Sequence, residues 1–159
     1  MNIASKWIAA SALVTAIAAA HVPGALAADK EQVIKDRAAL MKQQGADMGA
    51  VKGYIDGKGD LAKATASASD LIDTMKKLPD LFPPGTEGPN PEGKYTTKPE
   101  IWSDWKGFLA TRDTAAEKAT TLLAALKGGD MNAITAAFGD MGKSGCGACH
   151  GKFREEIKK

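Results

Sequence analysis

Six of the seven prolines in this 159-residue chain fall between Pro79 and Pro99. Because proline lacks a backbone amide donor and has a restricted φ, a helix interior does not tolerate it. The segments 24–78 and 100–159 contain no proline, and their apolar residues recur mainly at helical spacing. The sequence therefore predicts helices on both sides of one long, proline-rich connection.

Two helices are predicted before this connection. The first runs from Asp29 to about Asp56, and its apolar residues recur every seven positions, as in a helix packed lengthwise in a bundle. Those residues are Ile34, Met41, Met48 and Ile55. A Gly-Lys-Gly-Asp break at 57–60 separates this helix from the second, which is predicted from about Leu61 to Lys77.

Two more helices are predicted after the connection. Pro99 and Glu100 favour a helix start, and the pair Gly128-Gly129 ends that helix. Asp130 is a favourable N-cap for a fourth helix that continues to the C-terminus. No segment predicts a convincing strand. The predicted fold is all-α: an antiparallel four-helix bundle with a long Pro-rich crossover between helices 2 and 3.

Residues 1–27 have the pattern of a cleaved secretory signal peptide. Lys6 precedes an apolar run from Trp7 to Ala20, and Ala25-Leu26-Ala27 supplies the small residues of a cleavage site. The run is short for a bilayer span and nothing comparable follows it, so a retained membrane anchor is the weaker alternative. The predicted mature protein is one exported domain, residues 28–159.

The rarest residues of this mature chain lie within five positions. Cys146 and Cys149 are its only cysteines, and His150 is its only histidine once His21 leaves with the signal peptide. C-x-x-C-H is the attachment motif of c-type haem. The two thiols form thioethers with the porphyrin vinyl groups, and the histidine binds the iron. On a helix, positions i, i+3 and i+4 share a face, so all three side chains point to one cofactor.

Three alternative interpretations of this motif were weighed against haem. A disulfide between Cys146 and Cys149 would suit an exported protein. A redox-active C-x-x-C usually begins a helix beside a βαβ unit, for which no strand is predicted. A zinc site usually needs four ligands, and the motif supplies three. The histidine directly after the second cysteine favours haem, so we predict one covalently attached haem c with its iron.

The motif lies near the C-terminus, whereas ordinary monohaem cytochromes c carry it near the N-terminus. It is followed by Phe153-Arg154 on the last predicted helix. Further sequence features are Arg37-Ala-Ala-Leu-Met-Lys, Leu78-Pro79, Phe82-Pro83, Pro99-Glu-Ile-Trp and Ala137-Phe-Gly. With these features, the whole mature chain resembles the cytochrome c prime family, the class II c-type cytochromes.

The resemblance implies roles for two further residues. Arg37 resembles a family arginine that reaches a haem propionate, the alternative being a surface ion pair. Arg154 matches a basic position on the helical face of His150, where a cation tunes the iron potential. The alternative for Arg154 is a solvated cation at the helix end. We expect Trp102, Trp105 and Phe108 to pack in the core and against the crossover rather than on the haem.

The sixth iron ligand is predicted to be Met41. At ~1.5 Å per residue, Met41 lies ~16 Å from the Lys30 end of its helix, and His150 lies ~10 Å from the Ile157 end of its own. Met75 passes the same depth test, so geometry leaves two candidates. The resemblance favours Met41, because the family's distal residue follows the first-helix arginine by four positions. A Met41 that packs without binding iron is a further alternative.

The predicted function follows from the haem. No serine, carboxylate or histidine constellation for hydrolysis remains once His150 is assigned to the iron, so an enzyme of the ordinary acid–base or nucleophilic type is not predicted. Nucleic-acid binding is not predicted either, because 21 Lys and Arg nearly balance 19 Asp and Glu. His150 and Met41 as axial ligands predict a low-spin electron carrier of the bacterial periplasm that meets redox partner proteins. The alternative is a five-coordinate cytochrome c prime-like protein that binds nitric oxide or carbon monoxide. The resemblance also implies a homodimer as one possible assembly.

Overall fold

The computed structural model describes residues 23–90 and 93–158, with side chains described from residue 29 onward. Residues 1–22 of the predicted signal peptide lie outside the described residues. The helices are α1 (Pro23–Ile55), α2 (Leu61–Lys77), α3 (Glu100–Ser103), α4 (Trp105–Gly128), α5 (Met131–Asp140) and α6 (Ala148–Phe153). A 3-10 turn (Leu78–Leu81) follows α2, a π-helical segment (Met141–Gly147) joins α5 to α6, and the strands are β1 (Tyr95–Thr97) and β2 (Arg154–Glu156).

The long helices form the predicted four-helix bundle. Helix α2 packs between α1 and α4. Helix α4 also packs on α5 and on the π-helical segment, and α5 contacts α1, which closes the bundle. The core between them is made of small and aliphatic side chains that are fully buried, including Val51, Ala64, Leu71, Leu122 and Ile134. The all-α bundle is therefore confirmed as the main architecture. No helix within the described residues is both long and apolar enough to span a bilayer.

Short-range signals determine several helix ends. The carboxylate of Asp130 accepts a hydrogen bond from the amide of Asn132 at 2.8 Å, which confirms the predicted N-cap of the last helix. Asp60 caps α2 in the same way, accepting from the amide of Lys63 at 2.8 Å. Gly129 ends α4 with φ of 76°, a left-handed conformation that costs glycine little because it has no Cβ.

The third helix is interrupted near its start, whereas the sequence predicted one continuous helix from Pro99. Asp104 has φ of −121° and ψ of 53°, which separates the short α3 from α4. Its side chain then accepts a hydrogen bond from the amide of Gly107 at 3.0 Å and caps α4. The break costs little free energy, because the Asp104 side chain caps the helix that follows it.

The prediction of a fourth helix running to the C-terminus without any strand is wrong. The helix ends at Phe153, and β2 pairs antiparallel with β1, with Thr97 opposite Arg154. Backbone hydrogen bonds flank the pair, from Lys98 N to Phe153 O at 3.0 Å and from Ile157 N to Lys94 O at 2.9 Å. Each strand is only three residues long, so no alternating pattern could have indicated it.

The crossover packs down over the bundle as predicted. Phe82 is buried, and the indole Nε1 of Trp102 donates a hydrogen bond to its carbonyl oxygen at 3.0 Å. Phe108 is buried, and Trp102 and Trp105 pack against the core, as predicted. Phe108 also lines the cavity described below, so the prediction that it lies away from the cofactor site is wrong for this residue. The crossover thus covers one side of the bundle, next to the end of the chain that carries the cysteine motif.

Candidate functional site

The C-x-x-C-H motif spans the junction of two helical forms. Cys146 lies in the π-helical segment, and Cys149 and His150 lie in α6. The regular α-helix assumed for this stretch is therefore replaced by a wider turn before Cys149. Helical segments of this kind occur frequently at functional sites. A Cβ added at Gly145 would lie 3.0 Å from the Sδ of Met141 in the same segment, and at an ordinary contact distance of 3.6 Å from Ala115 Cα on α4.

A cavity of about 290 Å³ lies between α1, the crossover, β1 and α6. Its walls are mainly apolar, and its larger apolar lining residues are Ile34, Met41, Leu78, Phe82, Ile101, Phe108 and Phe153. Cys149 and His150 line it from α6, and Arg37, Lys94 and Arg154 supply three cations. A mostly apolar cavity with a few convergent polar groups is the usual form of a cofactor site.

The environment of the two cysteines keeps them as thiols. They are free and half-buried, so no disulfide joins them. Burial raises the pKa of the Cys146 thiol, and it raises the pKa of Cys149 to about 11, with a smaller contribution from Cys146. Redox-active C-x-x-C pairs instead have a lowered thiol pKa, so the site lacks the main property of that alternative.

The imidazole of His150 is held in its neutral form. Burial, and then the positive charge of Arg154, lowers its pKa below the ordinary value. Neutral imidazole is the form that binds a metal. Within the described part of the chain, no group of three His, Cys, Asp or Glu side chains is placed to hold a metal ion.

Met41 and Met75, the two candidates for the distal position, differ in their surroundings. Met41 is half-buried on α1 and lines the cavity together with His150. Met75 is buried among other residues, and its sulfur accepts a hydrogen bond from the amide Nε2 of Gln44 at 3.8 Å. Met75 does not line the cavity. The structure therefore brings Met41, and not Met75, together with the motif.

Arg37 lines the cavity, but its hydrogen bonds go to the crossover. Its Nε donates to the carbonyl of Leu81 at 2.9 Å, and its two terminal nitrogens donate to the carbonyl and hydroxyl oxygens of Thr86 at 3.2 and 2.7 Å. The guanidinium also lies 4.1 Å from the ring centroid of Phe82. The sequence missed this anchoring role, because the partner residues are more than 40 positions away.

Arg154 is not on a helical face, so the predicted i, i+4 relation to His150 is wrong. The residue begins β2 with φ of −127° and ψ of 144°, an extended conformation. It still lines the cavity with His150, and its guanidinium lies 4.0 Å from the ring centroid of Tyr95. Tyr95 is a site residue that the sequence did not indicate, since only strand pairing brings it here.

One protein family and several known proteins are similar to this chain. The family described as Cytochrome C′ matches residues 32–154. The cytochrome c′ of Rubrivivax gelatinosus is 40% identical over 111 residues, which are 68% of this chain and 82% of that protein.

Two solved structures extend the comparison. A nitric oxide complex of a cytochrome c prime variant from Alcaligenes xylosoxidans is 31% identical, with a TM-score of 0.68 and coverage of 80% of this chain and 97% of that one. A cytochrome c′ with ligand-controlled dimer dissociation is 26% identical, with a TM-score of 0.70 and the same coverage, 80% and 97%.

Proposed function

Because the chain belongs to the cytochrome c′ family, we propose that it is an exported monohaem c-type cytochrome whose iron is bound by His150. Proteins of this family bind one covalently attached haem c, and Cys146 and Cys149 fit its attachment motif. The observation that carries the proposal is the apolar cavity lined by Cys149, His150 and Met41.

The residues of the cavity fit such a group in their chemistry. When bound, the haem supplies an iron that takes up one electron or binds a small gas. His150 offers a neutral imidazole, and the two protonated thiols are the groups that thioether formation requires. Phe82, Phe108 and Phe153 supply apolar walls, and electrostatic interactions are stronger beside such walls than in water.

Binding of nitric oxide or carbon monoxide is the candidate function that the comparisons favour. A variant of the similar cytochrome c prime of Alcaligenes xylosoxidans forms a nitric oxide complex. In this chain, Met41 on α1 and His150 on α6 line the same cavity. If Met41 packs without binding iron, the iron would remain open to a gas. This candidate has more support from the comparisons than electron transfer with two axial ligands.

Electron transfer is the second candidate, and Met41 is the observation that favours it. A thioether sulfur opposite a ligating histidine favours ferrous iron and raises the reduction potential. Met41 is half-buried on the cavity wall that α1 contributes, and the competing methionine is engaged elsewhere. With both axial positions filled, the protein would serve redox partner proteins and would resist gases.

An absorption spectrum of the purified protein, in both oxidation states and with and without carbon monoxide, separates the two candidates. A low-spin spectrum that carbon monoxide leaves unchanged supports electron transfer through a His150–Met41 iron. A high-spin spectrum that shifts with carbon monoxide supports gas binding. Absence of any haem spectrum in protein made with haem-maturation machinery contradicts both candidates.

Export to the periplasm is part of the same proposal, since c-type haem is attached outside the cytoplasm. We expect the mature chain to begin at Ala28, after the small residues of the predicted cleavage site. N-terminal sequencing of protein from a periplasmic extract tests this. A chain that retains residues 1–27 on a membrane fraction would support the anchor alternative instead.

A further inference from the structure

The location of Arg154 depends on strand pairing and not on the helix that carries His150. Helix α6 ends at Phe153, and the extended conformation of Arg154 starts β2. Thr97 is its direct partner on β1, so Tyr95, two residues earlier, is its diagonal neighbour on the same face. Long and aromatic side chains contact each other across such a diagonal.

Tyr95 is the contact that holds the guanidinium of Arg154. The distance from Arg154 Cζ to the Tyr95 ring centroid is 4.0 Å, well within the range of a cation–π interaction. Within the described parts of the chain, no carboxylate lies at ion-pair distance from Arg154. The neighbouring carboxylates, Glu155 and Glu156, are exposed on β2.

We propose that Tyr95 is a positioning residue that holds the Arg154 cation at the cavity beside His150 and thereby raises the reduction potential of the iron. Tyr95, Arg154 and His150 line the same cavity. A fixed cation there favours the ferrous state, since reduction adds one negative charge. The inference rests on the proposed function, because it requires a haem bound through His150.

Loss of the ring would release the cation without removing it. An arginine side chain has several rotatable bonds, and Arg154 is close enough to the surface to extend into water. Solvent and salt then screen its charge from the iron. The backbone of the strand pair would persist, because main-chain hydrogen bonds at both ends hold it and involve no tyrosine side-chain atom.

The test is the reduction potential of the haem-loaded protein, measured by spectroscopic titration. We expect Tyr95→Ile, which keeps a strand-forming residue, to lower the potential toward that of Arg154→Gln. Tyr95→Phe keeps the ring and should retain the wild-type potential. Tyr95→Ile added to Arg154→Gln should lower the potential no further. Tyr54→Ile, which removes the other tyrosine of the chain away from the cavity, is the matched control.

Two results would overturn the inference. One is a wild-type potential in Tyr95→Ile or in Arg154→Gln. The other is an equal fall on adding Tyr95→Ile to Arg154→Gln, which would indicate a general structural effect. If Tyr95→Ile does not fold, Tyr95→Leu replaces it in the same comparisons. Absence of covalent haem from the wild-type protein would instead contradict the proposed function, so the two failures are distinguishable.

Discussion

Arg37 illustrates how one side chain links the fold to the site. It is 6% exposed, and its nitrogens donate to three oxygens of the crossover. Burial lowers its pKa to about 10, which still leaves it charged at neutral pH. Its predicted contact with a haem propionate stays a prediction. Anchoring of the crossover over the cavity is the role that the contacts support.

We expect Arg37→Gln to lower the free energy of unfolding by about 2–3 kcal/mol, because buried acceptors lose a charged donor. Denaturant titration of the loaded protein measures this. Lys52→Gln is the control on the same helix, since its ion pair with Asp56 is exposed and should contribute little to stability. Equal losses in the two variants would contradict the anchoring role.

Met41 is the residue whose replacement separates the two candidate functions. If its sulfur binds the iron, Met41→Ala should convert a low-spin spectrum to high-spin and allow carbon monoxide to bind. Met48→Ala, one heptad further along α1 and away from the cavity lining, should leave the spectrum unchanged. A wild-type spectrum that is already high-spin in both oxidation states would contradict ligation by Met41.

At the scale of the elements, α1 and α2 pack together around a buried carboxylate that lacks a hydrogen-bond partner for one of its oxygens. Asp47 is buried, and its Oδ2 has no hydrogen-bond partner. Burial raises the pKa of Asp47, a hydrogen bond from Ser67 opposes this, and the charge of Asp70 adds to it. The folded state therefore binds the Asp47 proton more tightly than the unfolded state, and its stability falls as pH rises through the raised pKa.

Asp47→Asn should consequently stabilise the protein at pH 7, by about 1 kcal/mol, because it removes a buried charge and keeps the shape. The gain should shrink as pH falls toward about 4, where the unfolded aspartate also becomes protonated. Thermal unfolding across this pH range tests it, with the exposed Asp36→Asn as control. A pH-independent gain would contradict the electrostatic explanation.

The end of α4 offers a matched pair of glycines. Gly128 is helical, whereas Gly129 has φ of 76°, and an added Cβ would meet nothing within 4 Å at either position. We expect Gly128→Ala to stabilise the fold by about 0.5–1 kcal/mol, because alanine restricts the unfolded chain. Gly129→Ala should destabilise it by about 1–2 kcal/mol, because alanine resists a left-handed conformation. Thermal unfolding of both variants measures the contrast, and shifts of the same sign would contradict it.

At the scale of the whole molecule, the cavity is continuous with the hydrophobic core. Phe82, Phe108 and Phe153 belong to the buried core cluster and also line the cavity. A group bound there completes the packing between α1, the crossover and α6. Its removal therefore affects the bundle as well as the chemistry.

Protein without haem should be less stable than haem-loaded protein by about 2–4 kcal/mol, because an unfilled apolar cavity destabilises the fold. Cys146→Ser and Cys149→Ser should each lower the fraction of protein with covalently attached haem, and should also lower its stability. Mass spectrometry measures the attachment, and thermal unfolding measures the stability. Equal stability of the loaded and haem-free proteins would contradict a core-filling group.

Local signals in the sequence determined most of the secondary structure. Three of these signals are the heptad repeat of the first helix, the N-cap Asp130 and the confinement of most prolines to the crossover. Each acts over a few neighbouring residues, so its effect can be predicted without knowledge of the tertiary structure. The same holds for Cys146, Cys149 and His150, because attachment chemistry demands their spacing. The helix bundle and the nature of the cofactor were therefore predictable.

Only the tertiary structure decided the parts of the site that depend on distant contacts. The β1–β2 pair, the anchoring by Arg37 and the placement of Arg154 over Tyr95 each join residues more than 40 positions apart. The choice between Met41 and Met75 as the distal residue also depends on the fold. The sulfur of Met75 accepts a hydrogen bond from Gln44, and no sequence pattern indicated this contact. A three-residue strand gains its hydrogen bonds only from a partner that the rest of the fold has already brought close, and so the sequence of the strand itself carries no signal of it.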